Sequence, residues 1–187
     1  MLGNRNENIE NKPQHIIEFD LSTELQHGVL VSNLAFSVAK EYGLPEKQCY
    51  DLAVAGLLHD IGKFKLKSYV DMDNEEPLMI EELRFVREHS TLGYEELKGQ
   101  GYSQFILDSI LYHHENYDGS GYPDNKRGED IPIGARILRV CDIYAALCSD
   151  RVYRKAYDKD TAIELMIDEV KHFDLRVFLA FQNVVHK

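Results

Sequence analysis

From Leu21 onward, apolar residues recur at helical spacing. Leu25, Val29, Leu34 and Val38 form one stripe, which predicts a helix over Leu21–Tyr42 ended by Gly43. Ser22 and Thr23 read as its capping residues. Pro45 opens a second helix through Ala53, Leu57 and Leu58 to about Gly62. The stretch DMDNEEPLM at 71–79 reads as a loop. Helices are expected next over 80–88, from His89 to Gly99 or Gly101, and over 103–114. Glycines and prolines between 116 and 132 mark a long loop. A helix over 133–149 carries Ile137, Leu138 and Val140, and two more are expected at 159–171 and 174–186. No segment alternates in the manner of a strand. The pattern therefore predicts an all-α fold, a single compact helical domain over 19–187, preceded by a polar, Asn-rich tail at 1–18.

Composition narrows the function classes. A chain of 187 residues with 44% hydrophobic and 28% charged residues can bury one real core. No apolar run approaches the roughly 20 residues that span a bilayer. The N-terminus has no apolar segment of the signal-peptide kind, so a cytoplasmic protein is expected. The three cysteines, Cys49, Cys141 and Cys148, show no CxxC spacing and read as reduced thiols with packing roles. A formal net charge of -11 repels nucleic acid and argues against a DNA or RNA partner. It leaves room for an anionic small substrate, because metal cations and a few arginines can reverse the field inside one pocket.

The candidate chemistry lies in the histidines. Of eight, five stand on or at the ends of expected helices: His27, His59, His89, His113 and His114. Asp60 follows His59 directly. Taken singly, each histidine reads as an ordinary hydrogen-bonded core residue. Together they are costly to bury without partners, and a metal centre would supply partners for all of them. A mixed histidine and aspartate set suits iron or manganese, and zinc also fits. Asp60 is the natural bridge, since its two oxygens can hold two ions close together. A water between two ions loses its proton near neutral pH and becomes a nucleophile for phosphate ester hydrolysis.

The segment HDIGK at 59–63, followed by HHENYDGSGYP at 113–123, closely resembles the HD-GYP subfamily of the HD superfamily of metal-dependent phosphohydrolases. The resemblance runs from about His27 to Tyr157. It implies metal ligation by His27, His59, Asp60, His89, His113, His114 and Asp142. It implies that Asp60 and Lys63 serve catalysis, with Lys63 at the scissile phosphate. By the likeness of DRVYRK at 150–155 to the family's DRPYR stretch, Arg151 and Arg154 would bind substrate phosphates. Gly121, Tyr122 and Pro123 would form the lip beside the site. The implied activity is hydrolysis of cyclic di-GMP to the linear dinucleotide or GMP. Other readings are an HD-type phosphohydrolase acting on another nucleotide, and an inactive cyclic dinucleotide receptor or interaction module.

Two departures from the family pattern bear on the metal count. Members with a third metal carry a glutamate where this chain has Thr23, and Glu24 lies about 100° further around the helix. The family's DxxDAL reads DIYAAL here, with Ala145 replacing the second aspartate. Both changes remove a carboxylate, so two divalent ions per chain are expected, iron or manganese. No sensor domain is recognised in the chain, so three means of control are open: a separate regulatory protein, oligomerisation such as a homodimer, and metal and redox state.

Overall fold

The apolar stripes fold as helices, and they do so where glycine lets backbones approach. A computed structural model describes residues 21–66, 86–150 and 154–187. The tail at 1–18, the loop at 71–79 and Arg151 lie outside the described residues. α1 (Leu21–Tyr42) packs along α2 (Glu46–Leu58). Their crossing is close because Gly28 faces the Leu57 carbonyl and Gly56 faces the backbone of Ser32; a Cβ at either would meet main chain at 2.9 Å. α3 (Lys63–Leu66), α4 (His89–Leu97) and α5 (Gln104–Leu111) follow. α6 (Ile133–Leu147) is the central helix, against which α1, α2, α5, α7 (Lys159–Asp168) and α8 (Leu175–Val185) pack. Among the described residues no strand occurs, and the domain is all-α with one continuous core.

The core holds Val31, Ala35 and Val38 from α1, Ile137, Leu138 and Val140 from α6, and Val177, Phe178 and Phe181 from α8. Phe173 stacks on Phe178 at 5.6 Å, and Tyr144 meets Phe181 edge-on at 5.0 Å. Side-chain caps start the later helices. Ser103 accepts from the Ile106 amide and Asp158 from the Thr161 amide. Asp174 accepts from the amides of Arg176 and Val177 and is also paired with Arg136 of α6 at 2.6 Å, which fixes the start of α8 against the central helix.

Several boundaries differ from expectation, α7 among them, which ends at Asp168 and not at 171, and two of them matter for the site. α2 ends at Leu58, not near Gly62, so His59 caps it and Asp60 stands in the turn beyond. α5 ends at Leu111, and His113 and His114 occupy the following turn rather than the helix. Ser22 and Thr23 lie within the first turn of α1 instead of preceding it. Cys49 and Cys141 are buried, Cys148 is half-buried, and all three are free thiols. No helix among the described residues is long and apolar enough to cross a membrane.

Candidate metal centre

Helix ends deliver the histidines. The last carbonyls of a helix lack an intrahelical donor, so a side chain just beyond can donate to them. The Nδ1 of His59 lies 2.8 Å from the Gly56 carbonyl, and the Nδ1 of His113 lies 2.7 Å from the Ile110 carbonyl. His89 makes the same contact with the Val86 carbonyl at 2.5 Å. A carbonyl only accepts, so each Nδ1 carries the proton and each Nε2 presents a lone pair. The i to i−3 spacing recurs three times and points three Nε2 atoms to one place.

That place is buried. His59, His89 and His113 are almost fully enclosed, and His27 on α1 is buried beside them. Three groups of ligand atoms converge, each within 4.8 Å: His27, His59 and Asp142; His89, His113 and His114; and, joining these two, His59, Asp60 and His113. Asp60 lies between the first two. Its Oδ2 is 3.2 Å from His59 Nε2 and 4.0 Å from His27 Nε2, and its Oδ1 is 3.3 Å from His89 Nε2. One oxygen thus faces each of these two groups. Asp142 of α6 closes the first group at 2.9 Å from His27 Nε2. All seven residues expected at the centre are brought together.

The donor set fits a metal on physical grounds. His89 and His113 direct their Nε2 atoms at each other across 3.3 Å. With both Nδ1 protons given to carbonyls, this places lone pair against lone pair, which a cation between or beside them relieves. His59 Nε2 faces the carboxylates of Asp60 at 3.2 Å and Asp142 at 3.6 Å, but makes no hydrogen bond of good geometry with either, an arrangement that an ion shared among the three would satisfy. Burial pushes His113 down to about 3, with the charges of His59 and His89 adding to the effect. Burial likewise lowers His89 and lowers His114 strongly. These rings are held neutral, the form a metal requires. Burial opposes ionisation of Asp60 and Asp142, but neighbouring cationic and hydrogen-bonding groups outweigh it and hold both well below the usual carboxylate range. His59 is the exception among the rings: burial lowers it, yet the charge of Asp60 and the bond to Asp142 raise it to about 10.

Around the centre stand residues of differing legibility. Lys63 lies 2.5 Å from Asp60 Oδ2 and 3.3 Å from Glu24 Oε2. Burial opposes its charge, and Asp60 and Glu24 restore it, with a net raised pKa. Glu24 was not among the expected site residues; it enters through an α1 contact 39 residues away in sequence. Gly121 is buried against the backbone of 114–116, where any Cβ would overlap the Asn116 amide and the His114 carbonyl. Tyr122, whose bond to Pro123 is cis, stacks on His114 at 4.7 Å, and Arg87 lies over its ring at 5.3 Å. Glu115 anchors the same lip by accepting from the Asp124 amide at 2.7 Å. The Arg154 guanidinium donates to the carbonyls of Ala146 and Leu147 at the end of α6 and of Lys155 beyond it, stacks on Tyr157 at 4.4 Å, and lines a cleft beside α6. Neither Arg87 nor Arg139 was expected at the site. Nothing local in the sequence marks either residue.

Comparison with known proteins agrees with this geometry. The family model described as HD domain matches residues 7–177. The chain is similar to a cyclic di-GMP phosphodiesterase of Pseudomonas aeruginosa, 37% identical over 160 residues, which cover 85% of this chain and 38% of that protein. It is also similar to the cyclic di-GMP phosphodiesterase response regulator RpfG of Xanthomonas campestris, 39% identical over 136 residues, covering 71% and 35%. The chain therefore spans less than two-fifths of the length of these curated relatives. Among solved structures, an HDG"Y"P protein of Bdellovibrio bacteriovorus shares the fold with a TM-score of 0.70 at 23% identity, covering 88% of this chain and 53% of that one. HD phosphohydrolases are metal-dependent, and the histidine and aspartate cluster is one that can hold metal. The chain belongs to the HD domain family, and its motifs fit the HD-GYP subfamily.

Proposed function

We propose that the chain is a cyclic dinucleotide phosphodiesterase that opens cyclic di-GMP at a pair of divalent ions, iron or manganese. The facing Nε2 atoms of His89 and His113, 3.3 Å apart with both Nδ1 protons committed elsewhere, carry the metal part of this reading. The substrate part is supported by the relatives of Pseudomonas and Xanthomonas, which are cyclic di-GMP phosphodiesterases by name.

His27, His59 and Asp142 would hold one ion and His89, His113 and His114 the other, with one Asp60 oxygen for each. Bound there, the ions supply Lewis-acid charge at the phosphate and an acidified water as nucleophile. The chain's own residues set the geometry. The carbonyls of Gly56, Val86 and Ile110 fix three imidazole tautomers. Lys63 steadies Asp60, and of its three donors two face Asp60 and Glu24, which leaves one for a phosphate oxygen. Tyr122, stacked on His114 and with Arg87 over its ring, stands at the edge of the centre as part of its lip. Glu24 is spent on Lys63, Thr23 offers no carboxylate, and Ala145 is fully buried, which supports two ions and release of the linear dinucleotide.

The test is turnover of cyclic di-GMP by protein loaded anaerobically with ferrous iron or with manganese, followed by chromatography of the products. Hydrolysis that is lost in Asp60→Ala supports the reading. Tight binding without turnover would replace it with a receptor.

A further inference from the structure

One buried charge has no role in this mechanism. Arg139 stands one turn before Asp142 on α6, largely enclosed. Its Nε donates to the Asn116 side-chain oxygen at 2.9 Å. Among the described residues no carboxylate oxygen comes within 4.0 Å of its guanidinium, whereas Arg136, one turn earlier, is paired with Asp174 at 2.6 Å. A buried cation left without an anion is costly, and arginine's planar fork matches phosphate oxygens in pairs. Burial lowers the pKa of Arg139, opposed by the charge of Asp142 and then of Tyr122, so its field reaches two residues of the metal centre.

The same side chain lines a cleft of about 650 Å³ between α6 and α7, a size suited to a small organic ligand. Ile143 and Leu147 continue the Arg139 face of α6, and Tyr157 and Phe173 add aromatic wall. Glu169 also lines the cleft, but it is engaged by His172 Nδ1 at 3.1 Å. Asp168 and Arg154 line it as well, the Arg154 guanidinium donating to the carbonyls of Ala146, Leu147 and Lys155, so the cleft offers apolar and aromatic walls with Arg139 on the α6 side, one turn before Asp142.

We propose that Arg139 binds the second, non-reacting phosphate of a cyclic dinucleotide whose reacting phosphate lies on the histidine and aspartate cluster, and that the cleft receives the attached nucleoside. This inference rests on the phosphodiesterase reading above and makes Arg139 a specificity residue for substrates with two phosphates. A simple diester such as bis(p-nitrophenyl) phosphate has no second phosphate to place there.

The test compares both substrates on the metal-loaded native protein, Arg139→Ala, Arg139→Lys and Asn116→Ala. Loss of a charge-assisted hydrogen-bonded pair should lower the ratio of kcat/KM for cyclic di-GMP over the simple diester about 10- to 100-fold in Arg139→Ala. The loss should fall mainly on KM, with partial recovery in Arg139→Lys. An unchanged ratio would overturn the inference. So would an equal fall in Asn116→Ala, which breaks the Nε bond but keeps the cation, because Arg139 would then act only by positioning the loop. If the native protein cleaves the simple diester but not the cyclic dinucleotide, the substrate reading itself fails and the inference falls with it.

Discussion

Replacing Gly62 by alanine tests how tightly the HDIGK turn is built against α4. A Cβ at this position would lie 2.6 Å from the Gly93 amide nitrogen and 2.8 Å from the His89 carbonyl carbon, and would overlap the His89 carbonyl oxygen. All three are backbone atoms, so no side chain can rotate away. The overlapped His89 carbonyl oxygen is the tightest of the three, and restoring an ordinary contact of about 3.4 Å to it requires α4 to withdraw by about 1.5 Å. Overpacking of this kind costs about 1–3 kcal/mol, which for a chain of this size lowers Tm by about 2–12 °C. His89 moves with its helix. Its Nε2 now stands 3.3 Å from both Asp60 Oδ1 and His113 Nε2, and metal sites tolerate errors of only about 0.2 Å. The group formed by His89, His113 and His114 should therefore lose affinity while the group formed by His27, His59 and Asp142 keeps its ion. Calorimetric melting together with metal titration reads both effects. A Gly62→Ala protein with native Tm and native metal content would refute the reasoning.

Further expectations follow from the same contacts. Arg154→Ala removes the donors to the Ala146 and Leu147 carbonyls and should cost about 1–3 kcal/mol, seen as a lower Tm; a rise in KM with no change in Tm would show that Arg154 serves substrate and not the helix end. The raised pKa of His59, about 10, means that the metal-free centre holds a proton through neutral pH and up to about pH 10, where a metal needs a lone pair. Metal uptake should thus release about one proton at neutral pH, and affinity should rise about tenfold per pH unit until pH passes the folded pKa. Calorimetry in buffers of different ionisation enthalpy measures the release, and its absence would contradict the assignment.

Much of the site was legible because its residues sit in short contiguous motifs. His59 and Asp60 adjoin, as do His113 and His114, and Asp142 lies within a clearly periodic helix. The α1 bounds followed from apolar spacing alone, Leu21–Tyr42. What escaped depends on how helices cross. The contact of Glu24 with Lys63 exists because α1 runs past the start of α3. The ends of α2 and α5 fell short of expectation because His59 and His113 turn their rings back on the preceding carbonyls of Gly56 and Ile110, leaving the chain to turn. Arg139 sits among apolar residues of α6, and only the three-dimensional arrangement shows that it faces a cleft and has no carboxylate oxygen within 4.0 Å among the described residues. Arg154 lay in a motif that pointed to phosphate; its bonds to the carbonyls at the end of α6 and its place on the wall of the cleft arise only in the fold.

The central claim is that Asp60 divides its oxygens between two ion sites. The most direct measurement is metal content per chain after anaerobic loading with iron or manganese and removal of loosely bound ions, in the native protein and in Asp60→Ala. The account predicts two ions per chain in the native protein and a loss of at least one in the variant. Three ions in the native protein, or two that persist without Asp60, would contradict it.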